Sequence, residues 1–215
     1  RLQLVARLEQ EAQLQIEKLE LLAPQGRIAL LGRAGLQAPY PISLNGDWRL
    51  QLQDGLSAGG QLSLQGDGRE LHLHHGGAGE WPLNLQGRFE DLLGDPVWSV
   101  QLDWPELPLP GEPELRFPAG TLSTQGRLDD YGFKLDLQPI QGRLAAALHL
   151  EAVGNRAGVT LRTLELDSPQ GRAGLQGRID WTEAIAFDLG LAATSLDPGL
   201  PPGLDRQGFG LDQTV

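Results

Sequence analysis

The sequence has neither cysteine nor methionine among its 215 residues, and aromatic residues make up only 6% of it. Without cysteine no disulfide can form, so the sequence permits an oxidising compartment but does not require one. Because position 1 is not methionine, we expect the chain to be a piece of a longer or processed protein. No stretch approaches the roughly 20 apolar residues that cross a bilayer as a helix, so any membrane anchor is expected outside this chain.

Positive charge is also scarce. The chain carries 17 basic and 28 acidic residues, a formal net charge of -11, which on average repels the phosphates of nucleic acids. The repeated Gly-Arg steps therefore do not indicate an arginine- and glycine-rich RNA-binding tail, because such tails are cationic and poor in large apolar residues. The composition excludes nucleic acid as an expected partner.

What the sequence does contain is a regular alternation of apolar and polar side chains. In residues 43–54, Leu44, Gly46 and Trp48 alternate with polar neighbours, and the same period of two recurs along most of the chain. Twenty-nine glycines and fifteen prolines interrupt these runs at short intervals, a pattern typical of turns between antiparallel strands. The sequence predicts an all-β fold of about 14 to 18 strands.

Two segments depart from this regularity. Residues 1–22 are rich in helix-forming residues, but they retain the alternation, and we interpret them as strands. Residues 105–118 hold five prolines and cannot form a central strand, so we predict a loop or edge segment there. This division predicts a β-sheet segment at 1–104, a proline-rich seam at 105–118 and a continuation of the sheet at 119–215.

A second repeated feature is the tripeptide Gln-Gly-Arg, which occurs six times. In the clear copies, glycine falls on the apolar side of the strand and its polar neighbours fall on the other. Glycine inside a strand marks a bulge, a bend or a close approach to the backbone. We therefore predict bends or a furrow at these glycines and at one relative, namely Gly46, Gly87, Gly126, Gly142 and Gly177.

A sheet with one apolar face must cover that face, and the sequence has no amphipathic helix to do so. A second sheet in a sandwich or barrel, a sheet that curls on itself, and a lipid-like ligand are the three alternatives. Leucine occurs 43 times and valine plus isoleucine only 12 times, which favours a lining that faces something fluid over a packed β core. The predicted lining comprises Trp48, Leu50, Leu52, Leu62, Leu64, Leu83, Leu85, Phe89, Val100, Leu102, Trp104, Leu122, Leu128, Phe133, Leu135, Leu137, Leu144, Leu148, Leu150, Leu175, Ile179, Trp181, Phe187, Leu189 and Leu191.

Two stretches, 85–104 and 168–205, carry a resemblance to a known family. Each has a strand containing Gly-Arg and a following segment that closes on tryptophan, and the second leaves the repeat through "LDPGLPPG". In these features the chain resembles the TamB family of AsmA-like proteins, from the bacterial translocation and assembly module. The whole chain resembles the family in its general sequence pattern, whereas the specific shared features lie in those two stretches.

The resemblance implies a periplasmic segment of a protein anchored in the inner membrane. It implies a long antiparallel sheet curled into an open, apolar-lined groove of the β-taco kind, with a β-sandwich as the alternative fold. It further implies phospholipid as ligand, transport of phospholipid between the two membranes, and support of outer-membrane biogenesis and protein secretion. A barrel partner of the TamA type and the inner-membrane anchor would engage through regions outside this chain.

Candidate reactive groups have simpler interpretations. His72, His74 and His75 invite a metal, but no cysteine follows them and His149 is far along the chain, so we interpret them as part of a polar face. The pair Asp129 and Asp130 lies at a predicted turn, where aspartate is expected for local hydrogen bonds. No motif for a nucleophile, a phosphate loop or a metalloprotease is present. We predict no enzyme activity, no cofactor and no metal.

Two functions remain open at this point. The first is a module that binds and conducts acyl chains. The second is a structural β scaffold, such as an adhesin segment, whose apolar face packs against itself. Phospholipid that copurifies with the folded chain would favour the first function, and a dry, fully packed core would favour the second.

Overall fold

The fold is a single long antiparallel meander, seen in a computed structural model of the chain. The structure describes residues 1–9, 12–51, 57–109, 112–139, 146–169, 171–182 and 184–194, with backbone only at 112–115. The predicted residues Leu52, Gly142 and Leu144 lie outside the described residues. Within the described ranges no residue is in an α-helix, and no helix there is long and apolar enough to cross a membrane.

Sixteen strands account for most of the described residues. They are β1 (Leu2–Glu9), β2 (Gln13–Ala23), β3 (Gly26–Gly35), β4 (Ile42–Gln51), β5 (Ser57–Gly66), β6 (Glu70–Gly79), β7 (Asn84–Glu90), β8 (Val97–Trp104), β9 (Leu107–Leu109), β10 (Glu112–Phe117), β11 (Gly120–Arg127), β12 (Asp130–Leu137), β13 (Ala147–Asn155), β14 (Gly158–Ser168), β15 (Gly171–Asp180) and β16 (Ala186–Thr194). The prediction of an all-β chain is confirmed, and residues 1–22 supply the strands β1 and β2.

Fourteen of these strands form one open sheet in sequence order, with β1 and β16 at its two ends. With neighbouring strands about 4.8 Å apart, the sheet extends for roughly 60 Å. The prediction of one long antiparallel sheet is confirmed. The alternative of a β-sandwich is not, because a single sheet carries the apolar face.

The proline-rich segment leaves this sheet. Strands β9 and β10 pair with each other in a separate two-stranded ladder, while β8 pairs directly with β11. Trp104 at the end of β8 holds the hairpin: its ring stacks on Phe117 at 6.2 Å between centroids, and its indole N–H donates to the Pro118 carbonyl at 2.8 Å. The two parts of the sheet are continuous across the insertion, and the division into 1–104, 105–118 and 119–215 stays a prediction.

The sheet has almost no enclosed core. The buried apolar side chains among the described residues are Ala58, Leu107 and Ala152, and none of the large side chains is fully buried. Most apolar side chains of the central strands are half-buried, whereas their polar neighbours are exposed. One face of the sheet is therefore apolar and half-buried in the central strands, exposed at the end strands β1 and β16, and covered by no second layer of described residues.

Candidate functional site

The apolar face is the candidate site, and its register aligns leucines from strand to strand. One transverse row crosses all fourteen strands, and we call it the leucine row. It runs through Leu4, Leu19, Leu30, Gly46, Leu62, His75, Leu85, Leu102, Leu122, Leu135, Leu150, Leu164, Leu175 and Leu191. Twelve of these fourteen positions are leucine, so the face presents a nearly unbroken hydrocarbon path along the sheet.

Parallel rows widen the apolar path. Next to the leucine row lie Leu64, Val100, Phe133 and Leu189 with Gly87 and Gly177, and beyond them lie Phe89, Ile179 and Phe187 with Gly126. On the other side of the leucine row lie Trp48, Trp104, Leu137 and Leu148, with Leu50 beyond Trp48. The described lining residues that lie in strands therefore share one face.

Three residues of the predicted lining lie outside the strands. Leu83 precedes β7 and accepts a hydrogen bond from the Gly77 N–H through its carbonyl at 2.8 Å. Leu128 lies in the turn after β11, and Trp181 follows β15, where its indole N–H donates to the Arg156 carbonyl at 2.8 Å. Leu128 and Trp181 are exposed. These three side chains lie at the ends of strands, at the borders of the face.

The sequence interpretation missed several members of this surface. Leu4, Leu19, Leu30 and Leu164 belong to the leucine row, as does His75, which we had placed on the polar face. The signal was present for His75, because strict alternation from Leu71 and Leu73 puts position 75 on the apolar face. His72 and His74 do lie on the opposite face, where the Nε2 atom of His72 lies 2.8 Å from Glu70.

Three glycines of the apolar face, Gly46, Gly126 and Gly177, have a backbone explanation. Gly126 and Gly177 have φ angles of 138° and 147°, a region that residues with a side chain rarely adopt. A Cβ on Gly177 would lie 2.0 Å from the Asp188 carbonyl oxygen, and one on Gly126 would lie 2.3 Å from that of Asp130. At Gly46 a Cβ would lie 2.2 Å from the Ala29 carbonyl oxygen. At these glycines the neighbouring strand approaches too closely for a side chain.

The opposite face is charged and faces water. Lys134 and His149 pair with Glu151 and Asp136, each at 2.5 Å, and Arg88 pairs with Glu70 at 3.0 Å. The hydrogen bond to Asp136 raises the pKa of His149 above its usual value. An open depression of about 510 Å³ lies at the strand ends beside Arg27 and Arg49. Leu50 of the apolar face also lines it, so it lies at the edge of the sheet rather than on either face alone.

The comparison with known proteins assigns the family. A family model described as "TamB, N-terminal domain" matches residues 1–201. The chain belongs to the TamB family. No solved structure matches it.

TamB proteins are transport and assembly components, and they are not a known enzyme family. They are anchored in the inner membrane with a periplasmic extension, and they work with TamA and with membranes. Membership in the TamB family therefore indicates a role in outer-membrane protein assembly or lipid transport. Among the described residues, no group of three His, Cys, Asp or Glu side chains is placed to hold a metal ion.

Proposed function

We propose that the apolar face holds phospholipid acyl chains and conducts them along the sheet, in the periplasm, between the inner and outer membranes. The observation that carries the proposal is the leucine row, which offers one acyl-chain path across fourteen strands. A hydrocarbon chain that leaves water for such a surface gains about 25 cal/mol for each Å² of apolar area that it buries. A TamA-type barrel and the inner membrane would be the partners of the complete protein.

The shape of the face supports movement as well as binding. Twelve of the fourteen positions in the leucine row are leucine, so an acyl chain meets similar surroundings at most steps along the row. Leucine side chains have more rotamer freedom than the β-branched residues typical of strands, and they adapt to a fluid ligand. Neighbouring positions of similar affinity allow a bound chain to shift without a large barrier.

An open face differs from a packed core in how it tolerates charge. When Leu102 in the middle of the leucine row is changed to Asp, the carboxylate can remain hydrated while no lipid is bound. An acyl chain that passes over it would strip this hydration, and an unpaired carboxylate is costly to desolvate. Leu102→Asp should therefore leave the amount of folded protein near normal and abolish lipid transfer.

The test measures folded yield, copurified phospholipid and lipid transfer in cells that carry the full-length protein. Ser123→Asp is the matched control, because Ser123 lies on the charged face of the adjoining strand β11 and pairs with Gln101 and Lys134. We expect Ser123→Asp to resemble the wild type in all three measurements. Unfolding by Leu102→Asp alone would favour the self-packed scaffold, and normal transfer in Leu102→Asp would exclude the conduit.

A further inference from the structure

The leucine row is interrupted at two positions, Gly46 and His75. The glycine leaves the row apolar, but the histidine places a polar, ionisable ring on it, between Leu62 and Leu85. The flanking positions on the same face are Leu64, Leu73 and Gly60, none of which carries a charge. The position of a single polar ring among these apolar side chains needs a chemical explanation.

Trp48 holds this histidine in place. Its indole Nε1 donates to His75 Nε2 at 2.8 Å, and the two rings stack at 5.7 Å between centroids with an interplanar angle of 24°. The pair spans strand β5 above Gly60, where a Cβ would lie 2.6 Å from His75 Nε2 and 3.1 Å from Trp48 Nε1. Gly60 is thus required for the contact, and three strands cooperate to fix the imidazole.

The hydrogen bond also fixes the tautomer. An indole N–H can only donate, so Nε2 of His75 must accept, and the neutral imidazole then carries its proton on Nδ1. Among the described residues no group accepts a hydrogen bond from this Nδ1–H. At His75 the apolar face therefore presents an oriented donor, and the half-buried ring keeps it within reach of a ligand.

We propose that His75 binds a phosphate oxygen of a phospholipid head group, so that the lipid pauses at β6 with its acyl chain along the leucine row. The proposal rests on the proposed function. It adds the position at which the lipid stops and the kind of lipid that is preferred. A donor in apolar surroundings gains most from an acceptor that is charged. The site would favour phosphate-bearing lipids over other molecules with apolar chains that bind the apolar face.

Two soluble amphiphiles test the selection below their micellar concentrations. Dodecylphosphocholine carries a phosphate, and dodecyltrimethylammonium has the same chain length and a similar cationic group without phosphate. The ratio of their two dissociation constants is measured for the wild type, for His75→Leu, which restores the leucine row, and for His75→Gln, which keeps an N–H donor. Comparing ratios between variants cancels the general attraction of an acidic protein for a cation.

We expect the preference for the phosphocholine to fall about tenfold in His75→Leu and to be largely retained in His75→Gln. In the wild type, dodecylphosphocholine should also shift the ¹⁵N signal of His75 Nδ1, and dodecyltrimethylammonium should not. An unchanged ratio in His75→Leu, or a lost preference in His75→Gln, would overturn the role of His75. Neither result would contradict the binding of acyl chains to the apolar face. If His75→Leu does not fold, the preference measured in His75→Gln and the ¹⁵N shift in the wild type decide whether His75 binds the phosphate.

A third ligand, inorganic phosphate, separates a head group from a free anion. An equal Nδ1 shift with inorganic phosphate alone would overturn the lipid assignment and indicate a simple anion site. Failure of both amphiphiles to bind any variant would contradict the proposed function together with this inference. Binding of both amphiphiles with equal affinity by all variants would contradict only the inference.

Discussion

Strands β7 and β15 contain the same tetrapeptide, Leu-Gln-Gly-Arg, at 85–88 and 175–178. In both copies the leucine lies in the leucine row and the glycine in the adjacent row. Their backbones nevertheless differ. Gly177 has a φ of 147° and a carbonyl oxygen 2.0 Å from its would-be Cβ, whereas the nearest atom at Gly87 is a ring carbon of Phe89 at 3.0 Å. The same four residues therefore occupy equivalent rows with different requirements for glycine.

The neighbouring strands differ as well. Opposite β15, strand β14 has two residues, Arg162 and Thr163, where β15 has only Gln176, which forms a bulge. Opposite β7, strand β6 pairs without a register shift. The repeated tripeptide therefore marks a place on the sheet, and the neighbouring strands decide whether a side chain fits there.

Substitution by alanine should lower the free energy of unfolding far more at Gly177 than at Gly87. Gly177→Ala should lower the free energy of unfolding by about 3 kcal/mol, since alanine must adopt an unfavourable φ against a backbone oxygen. Gly87→Ala should change it by no more than about 1 kcal/mol, because a phenylalanine ring can shift. Thermal unfolding followed by circular dichroism gives both values, and equal losses would show that the tripeptide itself demands glycine.

The strands that Gly177→Ala destabilises can also be located. Each strand makes its main contacts with its neighbours in the sheet, so destabilisation should remain local. Hydrogen exchange in Gly177→Ala should increase in β14, β15 and β16 and remain unchanged in β4 to β8. A uniform increase over the whole sheet would instead indicate that the sheet unfolds as one cooperative unit.

A smaller effect is expected for the two leucines, and it should be equal. Leu85 and Leu175 are both half-buried in the leucine row, and replacement of either by alanine removes a similar apolar area. We expect each to lower the free energy of unfolding by about 1 to 2 kcal/mol. A difference above about 1 kcal/mol, measured by the same unfolding experiment, would mean that the row is not equivalent along its length.

The smallest effect concerns the carboxylate that ends β15. Hydrogen bonds from the Thr182 N–H and hydroxyl, at 3.0 and 2.9 Å, and from Arg178 lower the pKa of Asp180. A lowered pKa contributes stability above the ordinary pKa of aspartate, and this is lost as the pH falls through the folded value. Asp180→Asn should therefore reduce the melting temperature slightly at pH 7, and the difference should shrink as the pH falls below about 4.

Thr182→Val supplies the control for this pH dependence. The substitution removes the hydroxyl donor and keeps the backbone N–H, so it should produce part of the Asp180→Asn effect at pH 7. A difference between wild type and Asp180→Asn that stays constant from pH 7 to pH 3 would show that the charge of Asp180 contributes nothing.

Much of the fold follows from local sequence patterns. Period-two alternation around Trp48 identifies β4, and it also identifies strands in residues 1–22 despite their helix-forming composition. The five prolines of 105–118 keep that segment out of the main sheet. The strand predictions succeed because the direction of a side chain along a strand depends only on its position in the chain.

What could not be predicted depends on pairing between strands. The pairs Glu17–Lys18 and Arg162–Thr163 interrupt the alternation, and only the register shows that each lies at a bulge in β2 and β14. To predict the leucine row, the lengths of all the turns must likewise be known, because a register slip of one residue would move the leucines to the opposite face of the sheet. For the same reason, contact between Trp48 and His75, 27 residues apart, is not visible in the sequence.

If acyl chains lie on the leucine-row face, probes in the two tetrapeptide copies should detect them on that face and not on the charged face. A photoreactive benzoylphenylalanine placed singly at Leu85, Gln86, Leu175 or Gln176 samples both faces at two distant points of the sheet. After irradiation of cells, mass spectrometry of the purified protein should find phospholipid adducts at positions 85 and 175 and none at 86 and 176. Adducts of equal yield on both faces, or no adduct at 85 and 175, would show that acyl chains do not lie selectively on the leucine-row face.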